Sequence, residues 1–122
     1  MQSAYWRRDR TGRTVFWIQD DGLEVFRCAR WDVVVVFLGS QASSWTVTEI
    51  GSGGLELAPH ALGSHARSGR GLAELFIPVA GASVFVAAPN GQETLFDCVE
   101  EKHDTLRLIP HAVPVTRSPN ER

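Results

Sequence analysis

Residues 46–57 read TVTEIGSGGLEL: two runs in which apolar and polar residues alternate, separated by three glycines and a serine. Alternation with a period of two is the pattern of a half-buried β-strand, so Trp45 to Ile50 and Leu55 to Ala58 are expected as strands. The interruption between them is either a bare hairpin turn or a bulge that touches a ligand, and both readings stay open at this point. Upstream, Trp31 to Leu38 is nearly uniformly apolar and β-branched, which predicts a strand covered on both faces and central in its sheet. Thr14 to Ile18 and Leu23 to Cys28 flank Asp20-Asp21-Gly22, and an Asp-Gly pair between two such runs predicts a type I′ hairpin.

Downstream, Pro59 to Gly71 has no apolar period and predicts a long surface loop. Strands are expected at Leu72 to Pro78 and Ser83 to Ala88, then a hairpin turn at Asn90-Gly91 and a further run from Glu93 to Val99. Residues 93–103 also fit one helical face, with Leu95, Phe96 and Val99 opposed to Asp97, Glu100 and Glu101; the strand reading is favoured. Thr105 to Ile109 predicts one more short strand. Many short strands with glycine turns and no confident helix predict an all-β fold, a small antiparallel β-barrel or sandwich of about six to eight strands. The expected organisation is an arginine-rich N-terminal arm over 1–13, one β-barrel domain over 14–109 and a proline-marked tail over 110–122.

The chain has 122 residues, enough to bury one apolar core without disulfide or metal support. Its formal net charge is −2 and its isoelectric point is near 6.0, so the global basic field typical of nucleic-acid binders is missing and generic nucleic-acid binding is not expected. The basic start lacks a following apolar stretch, so no secretory leader is expected. The longest apolar run, Val33 to Leu38, is too short to span a bilayer. A cytoplasmic protein without a membrane partner is expected, with Cys28 and Cys98 as reduced thiols filling strand positions.

Several catalytic patterns fail on spacing. The glycine loops lack the Gly-Lys-Ser/Thr and helix of a phosphate loop, and Gly39-Ser40 lacks the second glycine of a nucleophile elbow. Glu56, His60 and His65 could form a two-histidine, one-carboxylate metal set if their loop folds back, but solvated loop histidines are the simpler reading. No catalytic residue, metal ligand or cofactor is therefore assigned. The stretch from Tyr5 to Arg13 interleaves aromatics with four arginines, a composition suited to stacking on bases or binding phosphates; an edge-covering or disordered arm accounts for it equally well.

One combination goes further. Arg27-Cys28-Ala29-Arg30 precedes the central strand, and Glu49-Ile50-Gly51-Ser52-Gly53-Gly54 follows, continuing into Leu55-Glu56-Leu57. In order and spacing this resembles the PilZ domain, in which an Arg-x-x-x-Arg element precedes a strand and an Asp/Asn-x-Ser-x-x-Gly turn comes later. The resemblance implies a β-barrel receptor for cyclic di-GMP, with Arg27 and Arg30 as the phosphate and guanine clamp and Glu49 as the guanine contact. Gly54 would be the tight-turn glycine, and Gly51 and Ser52 complete the candidate ligand-binding set. Here the arginine element is one residue shorter than the family's, glutamate stands in place of aspartate or asparagine, and Gly51 occupies the serine position. The chemistry is sound, since guanidinium forks match phosphate oxygens and present a flat face to a base.

The expected function is accordingly a non-catalytic binding or adaptor module of PilZ type, its partners cyclic di-GMP or a protein. A small homo-oligomeric structural or assembly protein is the alternative, its tryptophans and arginines serving protein contacts. A metal-dependent barrel enzyme is the third reading.

Overall fold

β-Branched and aromatic residues alternate with polar ones along most of the chain, and the backbone follows that period. A computed structural model describes residues 2–51, 53–60, 78–102 and 104–111, together with the backbone of 115–117. Its strands are β1 (Gln2–Arg8), β2 (Thr14–Asp20), β3 (Leu23–Ala29), β4 (Val33–Leu38), β5 (Gln41–Gly51), β6 (Gly54–Pro59), β7 (Ser83–Ala87), β8 (Glu93–Lys102), β9 (Thr105–Pro110) and β10 (Val115–Arg117). There is no helix among the described residues. The fold is all-β, as its sequence period predicts. Six strands close an antiparallel barrel in the order β4-β5-β6-β9-β8-β7, and β10-β1-β2-β3 form a second sheet. The segment around Glu93 to Lys102 is a strand: Phe96 and Cys98 face inward while Glu93, Val99 and Glu100 are exposed.

Local chemistry sets the turns. Asp21 and Gly22 both take positive φ, 53° and 84°, and Asp20 pairs with Leu23, the two-residue type I′ geometry that the right-handed twist of the strands favours. Asn90-Gly91 is also a hairpin, but a longer one. Gly91 N–H donates to Ala88 O at 2.8 Å and Ala88 N–H to Gln92 O at 2.7 Å, and only Gly91 has positive φ. Pro89 explains the difference, because its ring fixes φ near −65° and suits the second position of a type I turn.

The second sheet caps the barrel, and one apolar core serves both. Ala4, Phe16, Ile18, Phe26 and Cys28 pack in the same buried cluster as Val36, Trp45, Leu57, Val86, Phe96 and Leu108. Phe16 and Phe26 meet Phe96 of the barrel with ring centroids 6.2 and 5.2 Å away. Trp45 is fully buried, and its indole N–H donates to Ser43 Oγ at 2.7 Å, so the deepest polar group has a partner. Cys28 and Cys98 are buried and unpaired.

Residues expected as an arm are part of the fold. Gln2–Arg8 pairs in register with β2 along its whole length, and Ala4 is fully buried. The arm therefore covers a sheet edge, held by the alternation of Ala4 and Trp6 toward the core with Tyr5 and Arg7 outward. β2 and β3 belong to the capping sheet, and the closed barrel begins at Val33. In the tail, Val115–Arg117 runs parallel to β1. The strand expected at Leu72 to Pro78, most of the loop over 59–71, and His65, His103 and Ser52 lie outside the described residues.

Candidate functional site

The glycine interruption is a hairpin turn, and a β-bulge lies upstream of it on β5. Gly51 pairs with Gly54 across a two-residue hairpin, with Gly51 and Gly53 at φ 136° and 93°. The bulge lies upstream: Val47 pairs with Leu57 and Glu49 with Glu56, so Thr48 is the extra residue. A bulge re-aims the side chains around it. Here Val47 and Ile50 both stay buried while Glu49 between them is turned out to solvent.

Arg30 reads this bulge. Its Nε donates to Thr48 O at 3.0 Å and its Nη2 to Glu49 Oε2 at 3.1 Å. The guanidinium carbon lies 4.7 Å from the centre of the Trp31 ring, a cation–π stack. Trp31 is 59% exposed and has a φ of 79°, a left-handed backbone that is an outlier for a bulky residue. Its N–H donates to Val47 O at 2.7 Å, Arg30 N–H donates to Thr14 O at 2.9 Å, and Asp32 N–H donates to Ala29 O at 3.0 Å. The Asp32 carboxylate accepts from Ala29 N–H at 2.8 Å and from Arg13 at 3.0 Å. Hydrogen bonds on all sides thus hold the β3–β4 connection in this conformation.

Of the residues singled out in the sequence, Arg30 and Glu49 are brought together, and Gly51 closes the adjoining hairpin beside the Trp6 ring. Gly54 has another role. It is buried against β9, where a Cβ would collide with the carbonyl oxygen of Leu108, so its lack of a side chain lets two strands approach. Arg27 keeps different company: it is outward on β3, paired across the ladder with Trp17, and its Nη1 lies 3.8 Å from Glu24 Oε2. Sequence reading missed Trp31 and the Thr48 carbonyl; the signal for the bulge was the parity break between Val47 and Ile50.

No family model, curated protein or solved structure matches this chain.

A second surface lies on the outer face of the capping sheet. Tyr5 and Trp17 are cross-strand neighbours with ring centroids 5.7 Å apart, and the Arg7 guanidinium lies 5.3 Å over Trp17. A hollow of about 260 Å³ is lined there by Arg7, Asp9, Val15, Trp17, Gln19, Glu24 and Arg27. A neighbouring hollow of about 250 Å³ shares Asp9, Val15 and Arg27 with it.

The metal reading gains little from the described part of its set. Glu56 is bonded by Thr48 Oγ1 at 3.4 Å, and His60 Nδ1 lies 3.2 Å from Thr46 Oγ1. Among the described residues no group of three or more His, Cys, Asp or Glu is arranged to hold a metal ion. Elsewhere Asp97 Oδ1 meets Ser83 Oγ at 2.7 Å and His111 Nδ1 at 2.8 Å. The Ser83 hydroxyl, then His111, hold the Asp97 carboxyl below its ordinary value. Burial pushes the Cys28 thiol far up, which makes it a poor nucleophile. No helix of the described residues is long and apolar enough to cross a membrane.

Proposed function

We propose that the protein is a non-catalytic binding module for a guanine nucleotide of the cyclic di-GMP type, received at Arg30, Trp31 and Glu49. The observation that carries this reading is the exposed indole of Trp31, held in a left-handed backbone with a guanidinium on its face and a carboxylate 3.1 Å from that guanidinium. Backbone outliers of this kind cost on the order of 1–3 kcal/mol and cluster at ligand sites. Each group has a task. The indole offers a surface for the base, Glu49 accepts the paired N–H groups of a guanine edge, and Arg30 supplies the fork for a phosphate. The resemblance of Arg27 to Gly54 to the PilZ pattern points to the same ligand class.

In the free protein the Arg30–Glu49 pair occupies both partners, so binding must open it. Together with the shortened arginine element, this limits affinity to about micromolar, about −8 kcal/mol. Calorimetric titration with cyclic di-GMP, with GMP and cyclic di-AMP as controls, tests the reading. A binding event specific to cyclic di-GMP, over and above any heat shared with the controls, and lost in Arg30→Ala, is the expected result. No heat or thermal shift beyond that of the controls at about millimolar ligand, some thousandfold above that affinity, refutes it.

An exposed row favours the oligomer reading as the second. Phe85 is 50% exposed and pairs with Phe37 on one side and Leu95 on the other, all facing out of the barrel. A dimer mass by light scattering, reverting to monomer in Phe85→Ser, supports that reading; a monomer at all concentrations removes it.

A further inference from the structure

The geometry points to a second binding site, on the outer face of the capping sheet, for nucleotide phosphates carrying a stackable base. Its chemistry follows from which polar groups are already taken. The Asp9 carboxylate accepts from Thr11 Oγ1 at 2.7 Å, Thr11 N–H at 2.9 Å and Arg13 N–H at 3.0 Å, and these bonds, led by the Thr11 hydroxyl, hold its carboxyl below the ordinary range. Asp9 Oδ1 is thus occupied by its own turn.

The cations are the reverse case. Among the described residues Arg7 has no carboxylate or carbonyl partner, only the Trp17 ring beneath it, and the contact of Arg27 with Glu24 is a long one at 3.8 Å with both side chains more than a third exposed. A pair of that kind holds its partner weakly. The hollow therefore presents two guanidinium forks with open donors on either side of an indole, while Asp9 has one carboxylate oxygen, Oδ1, taken up by its own turn.

That combination suits a phosphodiester beside a base. The forks take phosphate oxygens in pairs, and a base stacks on the Trp17–Arg7 layer, which is sequence-tolerant because every base has a π-face. The neighbouring hollow shares Asp9, Val15 and Arg27 with the first and turns toward Pro89 and Asn90, so a ligand longer than one nucleotide has a second recess beside it. The net charge of −2 makes the contact local and salt-sensitive. The hollow of Arg7, Trp17 and Arg27 shares no residue with the Arg30–Trp31–Glu49 cluster and stands without it.

The test uses thymidylate ligands, which carry no guanine edge for Glu49. Tryptophan fluorescence of the Trp31→Gly protein is titrated at about 20 mM salt with thymidine monophosphate and with the trinucleotide, within the roughly 1–100 µM range of weak electrostatic sites. Quenching by the trinucleotide is expected. The logarithm of its binding constant should fall against the logarithm of salt with a slope of about −1.4, two single-strand phosphates neutralised. Arg7→Ala and Arg27→Ala should each weaken binding about tenfold or more, and Trp17→Leu should abolish the quench.

Arg7→Lys, which keeps the charge but not the fork, should fall between wild type and Arg7→Ala; circular dichroism and thermal midpoints establish that each variant is folded. Equal affinity for the mononucleotide assigns the site to free nucleotides, and a preference for the trinucleotide assigns it to single strands. Absence of quenching, or quenching indifferent to Arg7 and Arg27, overturns the site. A cyclic di-GMP result dependent on Arg30 is unaffected by either outcome.

Discussion

At Trp31 the usual order of alanine and glycine should invert. In ordinary strand or helix positions glycine is the less stable by about 0.5–1 kcal/mol, because it loses more backbone freedom on folding. At a φ of 79° an alanine Cβ crowds the following carbonyl, a cost of about 1–2 kcal/mol, whereas glycine has no such cost. The unfolded-state advantage of alanine, about 0.4–1 kcal/mol, offsets part of it. Trp31→Gly should therefore be more stable than Trp31→Ala by about 0.5–1 kcal/mol, or about 2–4 °C in Tm for a chain of this size. Both variants lose the indole and its cation–π contact, so those contributions cancel in the comparison. Urea unfolding of the two, with equal m-values, measures the difference. An alanine variant as stable as the glycine one would show that the backbone is not strained there, and would remove the main physical reason for reading Trp31 as a ligand residue.

Gly54→Ala should destabilise the barrel by about 1–3 kcal/mol, the range for overpacking, since the new methyl meets Leu108 backbone; a neutral midpoint in chemical denaturation would contradict the close approach of β6 and β9. Asp97 has its folded pKa depressed below 3.8 by the Ser83 hydroxyl and by His111, so its contribution to stability is complete above the ordinary carboxylate value and is lost as pH falls through the lowered one. Ser83→Ala should accordingly reduce stability at pH 7 slightly and flatten the acid limb below about pH 4; an unchanged slope in pH-dependent urea unfolding refutes the assignment. Cys28, buried with its thiol pushed up, should resist iodoacetamide in the native protein at pH 8 and react fully after unfolding, with mass spectrometry of the peptide as readout.

The all-β class was legible because the period of two persists even where another period competes. In Glu93 to Lys102, Phe96 and Cys98 decide for the strand by both pointing inward, although Leu95, Phe96 and Val99 also fit a helix. Strand order was not legible. The pairings of β6 with β9 and of β4 with β7 are set by how a twisted sheet closes, which no local window records. The arginine motif was legible as composition but not as geometry: β3 ends at Ala29, so Arg27 alternates outward on a strand while Arg30 sits beyond its end and turns toward β5. Counting residues between the two could not reveal that the strand stops between them. Glu49 was found for its chemistry, yet its exposure depends on the extra residue Thr48, visible only as a break in parity. Tyr5 and Arg7 were noticed for their composition, but their alignment with Trp17 and Arg27 needed the register of β1 on β2.

The pairing of β1 with β10 joins Ala4 to Val115, residues that emerge from a ribosome far apart in time. While the rest of the chain is synthesised, β1 can pair with β2 on one side, but its other edge waits for almost the whole sequence to follow. An open strand edge recruits other chains, so nascent protein is exposed to mispairing over that interval. Arg7 and Arg8 stand on this strand, and like charges on neighbouring nascent chains oppose their stacking edge to edge. Basic residues near the start of the chain thereby guard an early-born edge until its last partner arrives.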